Sequence, residues 1–400
     1  MAKKVSQNGN GSAIVKVVGV GGGGGNAVSR MSNDFTRGVE FIAVNTDVQD
    51  LDSCNVRNKI YIGRNLTKGL GTGMNPELGR QAAEENRSEI AEALQGGDLI
   101  FITAGMGGGT GTGGAPVIAE AAKQAGALTI AVVTKPFSFE GSQRSRIAQE
   151  GLMKLKDKVD ALIVIPNDRI FSIINQDTSV VKAFESIDMI LKNAVSGIVE
   201  LIAAPGIINL DFADVRVIME DAGAAIVGVG QASGKDRAQN AVTQAINSPL
   251  LEVTIDGAKG VLLGIAGGRD LRMTEINDIA RQVAEAVDPS ARIIFGAYHD
   301  KRLRAGNIKV TIIATGFNAP KPANSLFSNL YEKDKQSSAP AAILQTSYRA
   351  EGIKLTETDL DPEPKLDFKS IKAEVKTEPT EEEGDVWEVP AFMRRKKRKI

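Results

Sequence analysis

Four hundred residues at 42% hydrophobic content exceed what one compact core normally holds, so two packed domains are expected. With 48 basic residues against 49 acidic ones the net charge is −1, which excludes a chain-wide bias toward nucleic acid or membrane, and no nucleic-acid partner is expected. Cys54 and His299 each stand alone, excluding an internal disulfide and a Cys/His metal cluster, while a polar start from Met1 to Ser12 and the lack of any apolar run of about 18 residues lead us to expect a soluble, cytoplasmic protein.

From Ile14 to Pro166 short β-branched runs alternate with helical patterns, as βαβ units do. Strands are predicted at Ile14–Val20, Val39–Val44, Asp98–Thr103, Leu128–Thr134 and Ala161–Pro166. Helices are predicted after Asn26, over Pro76–Leu94 with proline in the first turn, over Ala115–Gln124 and over Ser142–Lys158. This pattern implies a mainly parallel, doubly wound sheet covered by helices.

A long helix follows at Ser179–Ala203, where Val180, Phe184, Ile187, Leu191, Val195, Ile198 and Ile202 recur at three- and four-residue steps. It reads as a central spine ending at Pro205-Gly206. A second, smaller α/β region then carries strands at Ala224–Val229, Gly260–Ala266, Arg292–Ala297 and Ile308–Thr315, with helices near Asp236–Asn247 and Thr274–Val287. After Asn318 the composition turns to Pro, Ser, Thr, Lys and Glu, too polar to offset ordering entropy, so a disordered linker is predicted over 318–384. Residues 385–400 hold the only tryptophan, Trp387, and end in six consecutive basic residues from Arg394 to Lys399.

The chemistry lies in two glycine-rich turns. Gly19-Val-Gly-Gly-Gly-Gly-Gly-Asn26 follows the first strand and leads into a helix, where a backbone without Cβ atoms can approach a phosphate and N–H groups point at the anion. Gly19, Gly21 and Gly24 fit a dinucleotide fingerprint with Asp47 as its acid, a weak signal alone, since a tight turn with no ligand can carry the same glycines. A second turn, Gly105-Met-Gly-Gly-Gly-Thr-Gly-Thr-Gly-Gly114, follows the Asp98–Thr103 strand. Both turns fall at strand C-termini of one sheet, so together they could grip one polyphosphate. No Gly-Lys-Ser/Thr P-loop is present, so backbone dipoles and a bound cation must meet the phosphate charge.

The string GGGTGTG, Gly107 to Gly113, resembles the signature loop of the tubulin/FtsZ GTPase family, and GVGGGGGNAV, Gly19 to Val28, resembles its bacterial cell-division branch. Similar strings recur in the same order: AVNTD (Ala43 to Asp47), GLGTGMNP (Gly69 to Pro76), VVTKPFSFEG (Val132 to Gly141), IPND (Ile165 to Asp168), NLDFADV (Asn209 to Val215) and PAFMR (Pro390 to Arg394). The resemblance spans about Ile14 to Phe317 and resumes at the tail. It implies a Rossmann-like GTP-binding domain at 13–178 after a flexible 1–12, a central helix at 179–203 and an activation and assembly domain at 204–317. Residues 385–400 become a partner-binding peptide.

The same resemblance implies that Gly22, Gly23, Gly24, Gly25 and Asn26, with Gly109, Thr110 and Gly111, hold the phosphates of GTP or GDP, and that Mg2+ arrives with the nucleotide. Glu140 and Arg144 match ribose- and nucleotide-contacting positions, and Asn167, Phe184 and Asp188 match those around guanine. Each also has a plain structural reading: Phe184 as core, Asp188 as a solvated acid, Glu140 as a surface carboxylate. Asn209, Asp211 and Asp214 match a catalytic segment that enters the next subunit's site, although Asp211 and Asp214 also read as a helix cap with a first-turn acid. Head-to-tail filaments forming a midcell division ring are implied, with adaptor and regulatory division proteins bound through the C-terminal peptide and weak membrane contact through its basic end. Two other readings stay open: a nicotinamide-dependent dehydrogenase using the Gly19 turn, and a related filament protein for plasmid segregation or cell shape.

Overall fold

Six strands of the first half lie parallel in the order β3-β2-β1-β4-β5-β6, the doubly wound arrangement in which β1 sits at the switch of direction. These strands are β1 (Val15–Val20), β2 (Val39–Asn45), β3 (Asn58–Tyr61), β4 (Leu99–Gly105), β5 (Leu128–Lys135) and β6 (Ala161–Pro166). The helices between and beside them are α1 (Gly21–Ser32), α2 (Val48–Ser53), α3 (Arg64–Thr67), α4 (Pro76–Glu85), α5 (Arg87–Leu94), α6 (Thr110–Gln124) and α7 (Ser142–Lys156). The computed structural model describes residues 13–33, 38–172, 174, 177–203, 206–248, 254–300 and 302–317. The expected N-terminal arm, the linker over 318–384 and the C-terminal peptide lie outside the described residues.

Alternation along the strands builds a core on each face of the sheet. Val15, Val17 and Phe101 join one cluster with Met31 of α1, whereas Val18, Val20, Ile100 and Ile102 join another with Ile118 of α6 and Leu152 of α7. Burial on both faces explains why these strands read as continuous apolar runs.

The chain then enters α8 (Val180–Ala203), followed by β7 (Gly206–Ile208), α9 (Phe212–Met219), β8 (Gly223–Ser233), α10 (Arg237–Ile246), β9 (Gly260–Gly267), α11 (Met273–Ala286), β10 (Arg292–His299) and β11 (Asn307–Thr315). β8 continues the sheet by pairing parallel to β6 over Ala161–Ile163, and from it the order β8-β11-β9-β10-β7 mixes antiparallel ladders with the parallel β9–β10 pair. All four strands predicted for this region form, within its own core of Val261, Leu263, Ile265, Ile279 and Val310. The class is thus mixed α/β, with a large mainly parallel sheet and a second C-terminal domain.

Ile187, Leu191, Val195 and Ile198 of α8 are buried, each contributing roughly 1.5–3 kcal/mol of transfer free energy. Polar ties hold the helix at both ends: Asp188 pairs with Arg30 of α1 at 2.8 Å, and Glu200 accepts from Tyr298 of β10 at 2.8 Å and pairs with Lys309 of β11 at 3.3 Å.

Three predicted helix boundaries are corrected. The first helix starts at Gly21 rather than after Asn26, because its glycines let it lie directly on the sheet: a Cβ on Gly24 would stand 2.3 Å from the Thr103 carbonyl oxygen. Helix α6 starts at Thr110 rather than Ala115 for a related reason, since a Cβ on Gly113 would stand 2.0 Å from the Pro76 carbonyl oxygen of α4. The single helix expected over Pro76–Leu94 breaks at Asn86, whose side chain accepts from the Gly63 amide at 3.0 Å. Strand β3 and helices α2 and α3 were absent from the sequence reading, being short elements of four to six residues.

Candidate functional site

At the C-terminal ends of β1 and β4 a cavity of about 470 Å³ opens where the sheet changes winding direction. Its floor is the first turn of two helices: Gly21, Gly22 and Gly23 of α1, and Thr110 and Gly111 of α6, preceded by Gly109. The leading N–H groups of a helix lack partners within it and carry the positive end of its dipole, so two such ends converging on one space make an anion site. Gly24 and Gly25 do not line it; they face Thr103 and Cys54, and Asn26 is exposed on α1. The glycine run therefore divides its work, three residues toward the cavity and two toward packing.

Around Thr110 the polar side chains are locked. Its hydroxyl shares hydrogen bonds with Thr46 at 2.8 Å and Thr72 at 3.1 Å, the latter from the Gly71–Met74 segment that forms one wall. Thr112 accepts from the Gly107 amide at 2.9 Å and holds the turn before α6. Opposite Gly22 lie two carboxylates. Asp47 caps α2 by accepting from the Asp50 amide at 3.1 Å, and Asp50 accepts from Asn45 at 2.7 Å. Burial, with the charge of Asp47, pushes the Asp50 carboxyl above its usual range. Among the described residues no group of three His, Cys, Asp or Glu side chains could hold a metal by itself.

Away from the glycine turns the cavity is lined by Phe184, Asp188, Asn167, Glu140 and Arg144. Phe184 of α8 is 45% exposed and lines the wall, its ring edge-on to Phe137 at 5.7 Å, so its place in the helical stripe does not put it in the core. Asp188 is neither free nor solvated: it is largely buried against Arg30, and burial pushes its carboxyl up to about 6 despite that guanidinium. Asn167, which follows β6, is buried with its side-chain oxygen unpartnered, the kind of orphan that a ligand donor would satisfy. Glu140 accepts from the Phe137 amide at 2.9 Å and is paired with Arg144. Asp168 fixes this corner by accepting from the Ser138 amide at 3.0 Å.

Asn209, Asp211 and Asp214 do not line this cavity. Asp211 caps α9 by accepting from the Ala213 amide at 3.2 Å, and Asp214 accepts in return from the Asp211 amide at 3.4 Å. Asn209 accepts from the Gly206 amide at 2.8 Å. All three are exposed, as is Val217 on α9. From Asp188 to Ala203 the α8 axis advances about 22 Å at 1.5 Å per residue, and the Asp211 turn follows beyond that point.

Sequence reading missed Asp50, and it gave no individual role to Asn45 and Thr46 of the AVNTD string or to Thr72 of the GLGTGMNP loop. The spacing Asp47-x-x-Asp50 is a capping signal that could have flagged Asp50, whereas the two threonines reach Thr110 only through tertiary folding. No helix among the described residues is long and apolar enough to cross a membrane.

Comparison with known proteins agrees with this geometry. Residues 14–175 match the Tubulin/FtsZ family GTPase domain, and residues 223–318 match the FtsZ family C-terminal domain. The empty FtsZ dimer of M. jannaschii is 45% identical, with 77% of this chain and 89% of that chain covered at a TM-score of 0.73. CetZ2 of Haloferax volcanii, solved as a GTPgS-bound protofilament, is 23% identical with 81% and 99% covered at a TM-score of 0.67, a likeness of fold. CetZ1 of the same organism, solved as a GDP-bound monomer, is also 23% identical, at 0.68. With both domains matched in order and 45% identity to an FtsZ over most of its length, this chain belongs to the Tubulin/FtsZ family and carries that family's GTPase domain.

Proposed function

We propose that the chain binds one GTP or GDP per subunit in the cavity between α1 and α6, and that it hydrolyses GTP only when the Asp211–Asp214 turn of a second copy closes that cavity. One observation carries the reading: the cavity holds two helix N-termini and an orphaned Asn167, but the exposed acid pair stands outside it. Thr110, Gly111 and Gly21 to Gly23 cradle the phosphates. Asn167 and ionised Asp188 accept from guanine N1–H and N2–H, Phe184 offers a stacking face, and Glu140 with Arg144 meets the ribose.

Mg2+ fits as a cation carried in with the nucleotide, because Asp47, Asp50 and the Thr110 hydroxyl are oxygen donors of the type it takes beside a polyphosphate. When bound it would offset phosphate charge. The trans acids of the neighbour, Asp211 and Asp214 with Asn209 beside them, orient the attacking water and receive its proton. A head-to-tail contact of this kind joins two different surfaces and generates open filaments. The dimer solved for the M. jannaschii relative supports self-association.

The domain division that accompanies this reading is nucleotide binding at 13–178, spine at 179–203 and assembly at 204–317. A linker at 318–384 leads to a partner peptide at 385–400. Membership of the family supports a cytoplasmic division ring tethered through adaptor proteins that bind this peptide, in the manner of a bacterial FtsZ. Mixing tests the shared site. Thr110→Arg protein lacks a usable cavity and Asp214→Ala protein lacks the acid, so each alone should be inactive, and a mixture should recover GTPase activity. A mixture as inactive as its components would contradict the proposal.

A further inference from the structure

One carboxylate near the end of α8 gathers three other segments. Glu200 accepts from the Tyr298 hydroxyl of β10 at 2.8 Å, and it pairs with Lys309 of β11 at 3.3 Å and with Arg302 of the turn between those strands. Arg302 is held in turn by the buried Asp300 at 2.9 Å. The cluster is nearly closed to solvent: Tyr298 is 4% exposed, and the Glu200 and Lys309 side chains are 12% exposed each. None of these groups lines the nucleotide cavity. We propose that Tyr298 and Glu200 are positioning residues for the Asp211–Asp214 turn: they fix the path of the chain from α8 into that turn, and so set how one subunit presents its acids to the next. This inference rests on the shared-site reading above.

The path from Glu200 to Asp211 meets Tyr298 twice. β7, the last strand before the turn, is three residues long and lies at the sheet's edge, with β10 as its one strand neighbour. Gly206 pairs with Tyr298 and Ile208 with Ala297, with a register shift between them. The Tyr298 backbone thus holds the entry to the turn, while its hydroxyl holds the last turn of α8. An edge strand this short has no second ladder to correct its placement.

Apolar packing closes the same corner. A Cβ on Gly296 would stand 2.8 Å from Leu210 Cδ1 and 3.1 Å from Leu201 Cδ2, so Leu201 of α8 and Leu210 beside Asp211 both lie against bare β10 backbone. Asn209 then closes the turn on itself through the Gly206 amide. Each tie leads from the acids to β10, and the Tyr298–Glu200 bond carries it back to α8. Burial, with the charge of Glu200, holds the Tyr298 hydroxyl well above its usual range, so it remains a donor at every working pH. Hydrogen bonds to a charged group are the stronger kind, and a reacting group displaced by about 1 Å can lose about 10² in rate.

Mixing separates the two roles of a subunit, giving acids and receiving them. The control is the Thr110→Arg and Asp214→Ala mixture: if it stays silent, the shared-site reading falls at that step, and this inference with it. Tyr298→Phe deletes one hydroxyl from the network. Calorimetry should place its GDP affinity within about twofold of wild type, while its GTPase rate per sedimented polymer falls about threefold or more. Mixed in equal amounts with Thr110→Arg protein, which contributes an intact turn, it should reach about half or more of the rate of wild type mixed the same way. Mixed with Asp214→Ala protein, which contributes a cavity and no acid, it should stay at about a third or less of the matching wild-type mixture. Glu200→Ala, which removes the shared acceptor, should show the same asymmetry with a larger loss. Undiminished turnover in Tyr298→Phe protein would overturn the inference. So would a deficit that Thr110→Arg protein fails to relieve, because a fold merely weakened fails in both roles alike.

Discussion

The nucleotide cavity and the Asp211 turn are opposites in how their polar groups are used. The cavity collects groups left unmet by the fold, the leading amides of α1 and α6 and the Asn167 oxygen, beside a buried Asp188 whose carboxyl is raised even though Arg30 pairs with it. At the α9 turn the fold satisfies nearly everything locally, through the reciprocal bonds of Asp211 and Asp214. Unmet buried groups mark a place prepared for a ligand, because each costs about 1–3 kcal/mol until something pairs with it. Locally satisfied, exposed acids mark a place prepared to be carried elsewhere intact. On the proposed reading, binding and chemistry are thus built into separate regions of one chain.

The largest effect should come from attacking the cavity. Thr110→Arg breaks the hydroxyl bonds to Thr46 and Thr72 and fills the glycine end of the cavity with a long side chain, and should weaken GTP and GDP binding roughly a hundredfold or more by calorimetry. Retained affinity would break the comparison at its strongest point.

Next come the acids. Asp214→Ala should leave nucleotide affinity unchanged while turnover falls by roughly 10²–10⁴, the usual worth of positioned acid–base help. Asp211→Asn sharpens this. Asparagine still accepts from the Ala213 amide, so thermal stability should hold while turnover falls; Asp211→Ala should lose about 1 kcal/mol of stability as well. Turnover tracking stability across the pair, rather than carboxylate content, would return these residues to a capping role.

A smaller effect is the pH dependence of base recognition. Asp188 titrates near 6 in the empty cavity, and a nucleotide that donates to its carboxylate lowers that value, so GTP affinity should fall as pH drops through 6. In Asp188→Asn protein the slope should vanish. For the free protein the sign reverses. A carboxyl raised above its unfolded value favours the fold at low pH and loses that contribution as pH rises through 6, so Asp188→Asn should gain melting temperature relative to wild type at pH 7.5 more than at pH 5.

Much of this was legible in the sequence because its signals are local. All strands but the short β3 and β7 came from β-branched runs, α8 from its apolar steps and the glycine floor of the cavity from turns at strand ends. What failed was what depends on neighbours. The starts of α1 and α6 are set by contacts of Gly24 and Gly113 with distant backbone, and no local pattern distinguishes a glycine that packs from one that lines the cavity. Phe184 fitted the buried stripe of α8, yet it is half-exposed and lines the cavity. The hydroxyl cluster of Thr46, Thr72 and Thr110 joins three separate segments and left no trace in spacing.

The central claim is that one subunit cannot complete the reaction by itself. It is tested most directly by GTPase rate per subunit over a protein-concentration series, with sedimentation of the same samples. The shared-site account predicts near-silent protein at low concentration and a rise in specific activity that begins where sedimentable polymer first forms. Constant activity per subunit through that threshold would contradict it.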